Sequence, residues 1–434
     1  MDKEYITRLI YEYNPHLRGG TIGVPPYRRD LYTAIDKWRE KKQAIAIVGL
    51  RRTGKTTLMR QMMQEMGKDA AFFSFDEEET QKKDVLSFVL DFCISNFHSR
   101  TIFLDEIHYI GDWEGILKRY YDQKGTKFIV SGSESLELSK AKATLAGRLV
   151  TFQLEPLSFR EYLQLKGHPP IGPVPARDDW AALQALYHRT LTEKEYFERE
   201  FLQYLFKGAF PELCDEEDST VIRKYIYELV VKKIIYRDIP AIYEIRRRDL
   251  LFDLFFYCCN NSSNLFEVKN LCSTLNANYE TVTNYLFYLR SAFLITVAES
   301  YTGSTASRLR RNKKIYVVHP AIAFALMGFD FTMLVEKILG PYVETVFAGK
   351  YFWRDKQKNE VDVVLDTKPL LPVEVKFQGH IAPSDLKGLR TFMATHKVDR
   401  GILVTKNTFQ KITKDEKEIF MIPAWMFLLV KQSP

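Results

Sequence analysis

Cysteine is scarce in this sequence, and its five cysteines are scattered at Cys93, Cys214, Cys258, Cys259 and Cys272. None of them forms a C-x-x-C pair, so the sequence offers neither a disulfide framework nor a cysteine zinc site. An odd, scattered set of cysteines in a long chain is typical of reduced thiols. It therefore predicts a cytoplasmic location.

Long apolar runs are also missing. Crossing a bilayer takes about 20 apolar residues, and no run in the sequence reaches that length. The first four residues open no apolar signal segment. The longest candidate, residues 421–430, is interrupted by Pro423 and is predicted to be a buried strand. We therefore expect no membrane partner.

Neither sign of charge dominates. The sequence has 62 basic and 55 acidic residues, a net charge of +7, so a nucleic-acid surface would have to come from local clusters. The composition, 46% hydrophobic and 27% charged, is that of an ordinary globular protein. A chain of 434 residues is too long for a single core and predicts two or three domains.

The segment at residues 44–58 organises the rest of the sequence. A short apolar run rich in β-branched residues ends at Gly49, a polar loop follows, and a helical pattern begins near Thr57. The loop fits G-x-x-x-x-G-K-[ST], the P-loop whose backbone N–H groups cradle phosphates. We therefore predict an ATP site formed by Gly49, Arg51, Arg52, Thr53, Gly54, Lys55, Thr56 and Thr57.

Side chains in two segments have predicted tasks at this site. Lys55 is expected to reach the β- and γ-phosphates, and Thr56 to hold Mg²⁺ through its hydroxyl. An apolar strand at residues 101–104 leads into Asp105 and Glu106, the Walker B arrangement. Asp105 is predicted to hold Mg²⁺, and Glu106 to polarise the attacking water as general base. ATP and Mg²⁺ are thus the predicted cofactors.

Several other positions near this site have two interpretations each. Ser131 or Ser133 could orient the attacking water, or simply form a turn. Arg148 could meet the charge developing on the γ-phosphate of its own or a neighbouring chain, or form a surface salt bridge. Tyr27 and Arg28 could adjoin the adenine, or lie on a solvated helix.

The order of the segments predicts the architecture. A helix is expected at residues 27–42, and strands and helices then alternate over residues 44–155, which indicates a parallel sheet covered on both faces. Glycine and proline accumulate at residues 165–185, indicating a linker, and residues 193–240 are predicted to be helical. The fold class is therefore α/β.

A helix-turn-helix unit is predicted next. Helices are expected at residues 249–259, 265–275 and 279–292, followed by β-like stretches at 294–300 and 314–318. This is a winged helix with a cationic wing, which could contact DNA or act as a rigid connector. Residues expected to face DNA are Asn278, Tyr279, Thr281, Asn284 and Tyr285 on the helix, and Arg308, Arg310, Arg311 and Lys313 on the wing.

The C-terminal strands carry polar groups within apolar runs. Glu374 and Lys376 share one face of a predicted strand, and Asp362 on the adjoining strand can meet them there. Glu344 is a possible fourth member. Two acids that bind Mg²⁺, with a lysine that positions or deprotonates a water, form the arrangement for phosphodiester hydrolysis.

Together these residues resemble a family of prokaryotic AAA-type ATPases from archaea and bacteria. The resemblance covers nearly the whole chain, and His319 stands where relatives more often carry an acid. It implies an AAA/ASCE-type P-loop NTPase core with a strand inserted between the P-loop and Walker B strands, a helical lid, a winged helix and a PD-(D/E)XK restriction-endonuclease-like domain. Its matching segments are residues 49–57, 104–107, 145–148, 156–159 and 281–286, with the triad of Asp362, Glu374 and Lys376.

The predicted domains are residues 1–165 for the ATPase core, 166–245 for the linker and lid, 246–320 for the winged helix and 321–434 for the endonuclease-like domain. The leading functional hypothesis is an ATP-hydrolysing protein that binds or remodels duplex or branched DNA. The alternatives are an ATP-gated, metal-dependent nuclease and a nucleotide-dependent signalling or defence switch that recruits protein partners. A homo-oligomer is possible if Arg148 acts on a neighbouring chain.

Overall fold

A computed structural model describes residues 2–132, 144–172, 175–302, 312–333 and 336–430. The backbone divides into two compact units. The first unit comprises Met1–Pro156, Lys233–Arg246 and Ser291–Phe293, and the second comprises Leu157–Lys232, Arg247–Arg290 and Leu294–Pro434. The four-domain division of the sequence stays a prediction.

The first unit is built on a five-stranded parallel sheet with strand order β2-β3-β4-β1-β5. Strand β4 lies between β1 and β3, which is the inserted strand that the resemblance implied. Alternate residues of β1 enter different hydrophobic clusters, so both faces of the sheet are covered as predicted. The strands are β1 Ala44–Val48, β2 Ala70–Ser74, β3 Thr101–Asp105, β4 Lys127–Gly132 and β5 Leu149–Gln153.

Helices cover this sheet. The helix expected at residues 27–42 is much shorter and spans Leu31–Asp36. Gln61 Nε2 donates to the carbonyls of Pro25 at 2.8 Å and Tyr27 at 2.7 Å, so the start of the expected helix is bonded to the P-loop helix instead. The α-helices are Lys3–Tyr13, Leu31–Asp36, Lys55–Met66, Lys83–Phe97, Trp113–Lys124 and Ile239–Ile242, the last preceded by a π-helical turn at Ile234–Asp238.

The N-terminal helix is part of this core. Ile6, Leu9 and Ile10 are buried in the hydrophobic cluster on one face of the sheet. Asn14, fully buried just after the helix, pairs with the backbone of Phe72 in β2: its Nδ2 donates to the carbonyl at 2.8 Å, and its Oδ1 accepts from the amide at 2.7 Å. The segment before the P-loop strand is therefore bonded to the sheet.

The second unit contains two mixed sheets. Their strand orders are β10-β9-β7-β8-β6 and β11-β12-β13-β15-β14. Residues 265–266, expected to be helical, form a short strand because they pair with β8. The strands are β6 Leu265–Phe266, β7 Ile295–Ser300, β8 Lys313–Val317, β9 Tyr351–Arg354, β10 Glu360–Val361, β11 Val363–Leu365, β12 Leu371–Lys376, β13 Arg400–Thr405, β14 Gln410–Lys414 and β15 Lys417–Pro423.

One expectation for the C-terminal segment is wrong. Residues 421–429 were expected to form a single strand, but the strand ends at Pro423 and a buried helix, Ala424–Leu429, follows. A short, wholly apolar run suits a buried strand and a buried helix equally well, so its period cannot distinguish them. The other α-helices of this unit are Phe159–Leu165, Trp180–Thr190, Lys194–Lys207, Ser219–Lys224, Arg248–Asn260, Val268–Leu275, Tyr279–Ser291, Pro320–Met327, Glu336–Thr345 and Lys387–His396, with a π-helix at Tyr225–Val231.

Across the residues described above, every helix is too short or too polar to span a membrane.

Candidate functional site

The phosphate loop lies between β1 and the helix Lys55–Met66. Gly49 has a φ of 146°, and a Cβ at this position would overlap the carbonyl oxygen of Leu154. Gly54 has a φ of 97° in the left-handed region and immediately precedes the helix. The backbone therefore requires glycine at both positions of the motif. The loop that contains them leads into the N-terminus of a twelve-residue helix.

Lys55 is the first residue of that helix and turns back into the loop. Its Nζ donates to the carbonyl oxygens of Gly49 at 3.0 Å and Leu50 at 3.1 Å. Burial lowers the pKa of the Lys55 ammonium, while Glu106 and Asp105 oppose this effect. The ammonium thus lies within the loop, where a phosphate would offer it stronger acceptors.

A chain of hydrogen bonds joins the P-loop helix to the ends of β3 and β4 at the carboxyl edge of the sheet. Thr56 Oγ1 donates to Asp105 Oδ2 at 2.8 Å, and Ser131 Oγ donates to Asp105 Oδ1. Ser131 Oγ also accepts from the amide of Glu106 at 3.1 Å. The structure therefore brings together Thr56, Asp105, Glu106 and Ser131, and it engages the Ser131 hydroxyl with protein groups. Ser133 lies outside the described residues.

Glu106 directly follows β3 in a strained conformation. Its φ of 54° is unusual for a residue with a side chain. Burial raises the pKa of Glu106 and of Asp105, and Lys55 and Arg51 partly offset this for Glu106. His108 Nδ1 lies 3.2 Å from Glu106 Oε2, and burial lowers the pKa of His108 to about 4, so this ring is neutral at pH 7. A buried carboxyl with a raised pKa is suited to accept a proton.

Four residues outside the predicted motifs hold the phosphate loop or its surroundings: Arg29, His108, Tyr109 and Asp238. Buried Arg51 donates from Nη1 to both carboxylate oxygens of Asp238 at 3.2 Å, and Tyr109 Oη donates to Asp238 Oδ1 at 2.6 Å. Arg29 Nη1 donates to the carbonyl of Thr53 at 2.6 Å. His108, described above, is the fourth. No short motif marks Arg29, Tyr109 or Asp238, because their partners lie far away in the sequence. His108 lies only two residues after Glu106, but a lone histidine there is not part of the predicted motif.

The other predicted loop residues have structural contacts or exposed positions. Thr53 is fully buried, and its Oγ1 donates to the carbonyl of Leu50 at 2.8 Å. Arg52 is exposed with a φ of 67°, and Thr57 is half-buried in the first turn of the helix. Arg28 pairs with Glu65, so its guanidinium is engaged on the P-loop helix. Adenine contact by Tyr27 or Arg28 stays a prediction.

Arg148 lies at the opposite edge of the sheet from these groups. It immediately precedes β5, and its carbonyl accepts from the amide of Ala44 at the start of β1. Its guanidinium forms a two-pronged pair with Asp122, at 3.0 and 3.3 Å. This placement separates Arg148 from the Lys55 site of its own chain by the length of a strand. Action on a neighbouring chain stays a prediction.

The endonuclease-like residues lie together in the second unit, and a second lysine that was not predicted, Lys314, lies among them. Lys314, on β8, places its Nζ 2.8 Å from Glu344 Oε1, 3.1 Å from Asp362 Oδ1 and 2.5 Å from Glu360 Oε1. The side chain of Lys314 is only 3% exposed. Tyr316 Oη donates to the same Glu344 oxygen at 2.6 Å. No motif in the sequence identifies Lys314, Tyr316 or Glu360 as members of this cluster.

The other two predicted members adjoin this cluster. Lys376 Nζ lies 2.5 Å from Glu374 Oε1, and Asp362 Oδ2 accepts from the amide of Val375 at 2.9 Å. Burial raises the pKa of Glu374 and of Glu344 to about 8. Burial acts in the same direction on Asp362, but Lys314 and Lys376 outweigh it and lower the Asp362 pKa.

This cluster does not fit a divalent ion. The Lys314 ammonium already bonds to an oxygen of Glu344 and an oxygen of Asp362, two of the carboxylates that would have to turn toward a metal, and Glu374 pairs with Lys376. Within the described ranges, no group of three or more histidine, cysteine, aspartate or glutamate side chains is arranged to hold a metal ion. We therefore assign no metal-dependent step to Glu344, Asp362, Glu374 and Lys376.

The helix predicted to contact DNA presents part of the expected face. Tyr279 is 60% exposed and Asn284 is also exposed, whereas Thr281 is half-buried. Tyr285 does not face outward: it is buried, and its hydroxyl accepts from the amide of Arg247 at 3.2 Å. Of the predicted wing residues, Lys313 is half-buried on β8, and Arg308, Arg310 and Arg311 lie outside the described residues.

His319 has a structural role. Its Nδ1 accepts from the amide of Ala321 at 3.2 Å and caps the helix Pro320–Met327. Burial lowers the pKa of this histidine to about 3, so the ring is neutral at pH 7.

Part of the chain matches a known family of domains. Residues 41–163 match a family model described as an AAA domain. Together with the parallel sheet and the loop at Lys55, this identifies an AAA-type P-loop ATPase domain. Residues 198–332 and 340–427 match two further families, described as domains of unknown function DUF8612 and DUF4143.

The chain has relatives of similar length. The chain is 28% identical over 413 residues to an uncharacterized protein of Methanocaldococcus jannaschii, covering 88% of this chain and 87% of the relative. A second uncharacterized protein of that organism is 26% identical over 342 residues, covering 75% and 71%. An uncharacterized protein of Haemophilus influenzae is 22% identical over 401 residues, covering 88% and 93%.

Two solved structures are similar in part. The S. cerevisiae Hsp104–ADP complex matches with a TM-score of 0.32 and 16% identity, covering 66% of this chain and 42% of that chain. C. elegans PCH-2 matches with a TM-score of 0.28 and 12% identity, covering 52% and 61%. This chain thus spans less than two thirds of either one.

Proposed function

We propose that the chain binds ATP at the carboxyl edge of the first-unit sheet and hydrolyses it with Mg²⁺. The observation that carries the proposal is the hydrogen-bond chain from Thr56 through Asp105 and Ser131 to the backbone of Glu106. It aligns a hydroxyl and a carboxylate, the oxygen ligands that Mg²⁺ prefers, beside a buried carboxyl and the Lys55 ammonium.

Each side chain then has a separate task. Lys55 and the backbone amides of the loop bind the β- and γ-phosphates, and Thr56 and Asp105 would hold Mg²⁺. When bound, this ion neutralises charge on the phosphate oxygens. Glu106 takes a proton from the water whose oxygen attacks the γ-phosphorus, while the bond from that phosphorus to the ADP oxygen breaks. Ser131 holds Asp105 in place.

A Lys55→Ala variant tests this proposal. We expect ATP hydrolysis, followed as phosphate release with Mg²⁺ present, to fall by about a hundredfold or more, because the charge that faces the transferred phosphoryl group is lost. Binding of a fluorescent ATP analogue should weaken in parallel. Lys68→Ala is the matched control, since Lys68 is an exposed lysine just after the same helix. Equal rates in both variants would refute the proposed site.

We propose, as a second function, that the helix Tyr279–Ser291 contacts DNA. Support comes from the exposure of Tyr279 and Asn284 on a helix that follows another short helix, Val268–Leu275, and precedes the antiparallel pair β7–β8. This order matches the winged-helix pattern expected from the sequence. Aromatic and amide side chains exposed on such a helix are suited to bases and phosphates.

Gel shifts at low salt on linear, forked and four-way DNA test the second function. We expect the double variant Tyr279→Ala, Asn284→Ala to weaken DNA binding by about thirtyfold or more, because each of the two lost contacts is worth roughly 1 kcal/mol or more. Thr274→Ala, at an exposed position on the preceding helix, should bind as the wild type does. Absence of DNA binding would remove this function and, with slow hydrolysis unaffected by DNA, favour a nucleotide switch that recruits proteins.

A further inference from the structure

Asp238 is a fully buried carboxylate in the first unit that none of the roles above uses. Its contacts include three hydrogen bonds, two from Arg51 Nη1 at 3.2 Å and one from Tyr109 Oη at 2.6 Å. Arg51 Nη1 also lies 3.4 Å from Tyr109 Oη, so the three side chains contact one another. A buried carboxylate at such a junction is costly unless its partners are fixed.

The two partners of Asp238 belong to the two halves of the nucleotide site. Arg51 is in the phosphate loop, four residues before Lys55. Tyr109 ends the short 3-10 turn Ile107–Tyr109 that directly follows Glu106. Asp238 itself comes from the π-helical turn Ile234–Asp238, far along the chain. One carboxylate therefore joins the phosphate loop to the turn that carries the general base.

The other contacts of Arg51 cannot replace this one. Its Nη2 donates to Asp76 Oδ1 at 3.2 Å, but Asp76 is 49% exposed and also pairs with Arg237. A half-exposed ion pair is screened by water and contributes little, whereas the contact with Asp238 is shielded from solvent. The orientation of the Arg51 guanidinium therefore depends mainly on Asp238.

We propose that Asp238 is a positioning residue for ATP hydrolysis, which holds Arg51 and Tyr109 so that the phosphate loop and Glu106 keep their relative geometry. This inference rests on the proposed ATPase function. Because Asp238 acts through other side chains, its loss should affect the chemical step more than the binding of ATP. Without Asp238, the Arg51 guanidinium and the turn that carries Glu106 lose their common partner, and Glu106 shifts relative to the phosphate loop.

Steady-state ATPase kinetics of Asp238→Asn test the inference. We expect kcat to fall by about tenfold or more while KM for ATP stays within about threefold of the wild type. Tyr109→Phe removes one of the three hydrogen bonds and should show a smaller fall of kcat with the same unchanged KM. A melting curve shows whether Asp238→Asn folds. If it does not fold, the kinetics of Tyr109→Phe test the inference instead. Asp91→Asn is the control, since Asp91 accepts from Tyr120 Oη at 2.8 Å on an exposed surface.

A double variant separates positioning from a general loss of stability. Because Asp238 acts in part through Arg51, the variant Arg51→Gln, Asp238→Asn should lose less kcat than the product of the two single losses. Multiplied losses in the double variant, or an unchanged kcat in folded Asp238→Asn and Tyr109→Phe, would overturn the inference while leaving the ATPase function intact. Absence of hydrolysis by the wild-type chain would overturn the ATPase function, and this inference with it.

Discussion

A Glu106→Gln variant is expected to bind ATP normally and to hydrolyse it about a thousandfold more slowly than the wild type. Glutamine has the same shape and keeps its backbone amide on Ser131, but it cannot accept a proton from the attacking water. Burial raises the pKa of Glu106, which makes the carboxyl a stronger base than one in water. Phosphate release and binding of a fluorescent ATP analogue, measured on the same preparation, check both halves of this expectation.

The comparison needs a variant with the same chemical change elsewhere. Glu78→Gln serves, because Glu78 is exposed in the same unit. This control should retain wild-type hydrolysis. If Glu106→Gln also retained it, the proton would have to go to a group other than Glu106, and the assignment of the general base would be wrong.

Lys314→Ala is expected to lower the free energy of unfolding of the second unit by about 3 to 5 kcal/mol. The ammonium of Lys314 lies among Glu344, Glu360 and Asp362, and its removal leaves buried carboxylates without their main counter-charge. The full chain is unfolded with denaturant, and hydrogen exchange of the amides in β8 and β12 is used to monitor the loss of stability in this unit. The exposed Lys356, changed to alanine, is the control and should have little effect.

The same pair of proteins tests whether the cluster accepts a metal. We expect Mn²⁺ to leave the stability of the second unit unchanged in the wild type, because Lys314 already bonds to the carboxylates. In Lys314→Ala, Mn²⁺ should recover part of the lost stability, since a ligand that binds the folded state stabilises it. Stabilisation of the wild-type second unit by Mn²⁺ would show that the lysine gives way to a metal, and the nuclease hypothesis would regain its basis.

The nucleotide site could be predicted from sequence because its parts are contiguous motifs at strand ends. Gly49 and Gly54 set the loop, and Asp105 and Glu106 follow a strand of the same parallel sheet, so the topology of the sheet brings them together. The side chains that complete this site were missed. Asp238 reaches Arg51 across 187 residues of sequence, and no local pattern records such a pair.

The endonuclease-like cluster shows the same limit in a different way. The spacing of Asp362, Glu374 and Lys376 predicted that these side chains would lie close together, and in the structure Lys376 pairs with Glu374 while Asp362 accepts from the amide of Val375. It could not predict that Lys314 would enter from β8, because in sequence Lys314 is only the last of several cations in a polar segment. The identity of the cation in the cluster, a metal or a lysine, depends on tertiary pairing.

The bonding of the N-terminal segment has a practical consequence for work on the ATPase domain alone. The matched AAA region starts at residue 41, but Arg29 hydrogen-bonds to the carbonyls of Thr53 and Glu155, and Asn14 completes the edge strand at Phe72. A fragment cut at the border of sequence similarity would lose both contacts, together with the buried face of helix Lys3–Tyr13. A fragment meant to fold as the first unit therefore has to include the helix Lys3–Tyr13 as well as the segment Lys233–Arg246.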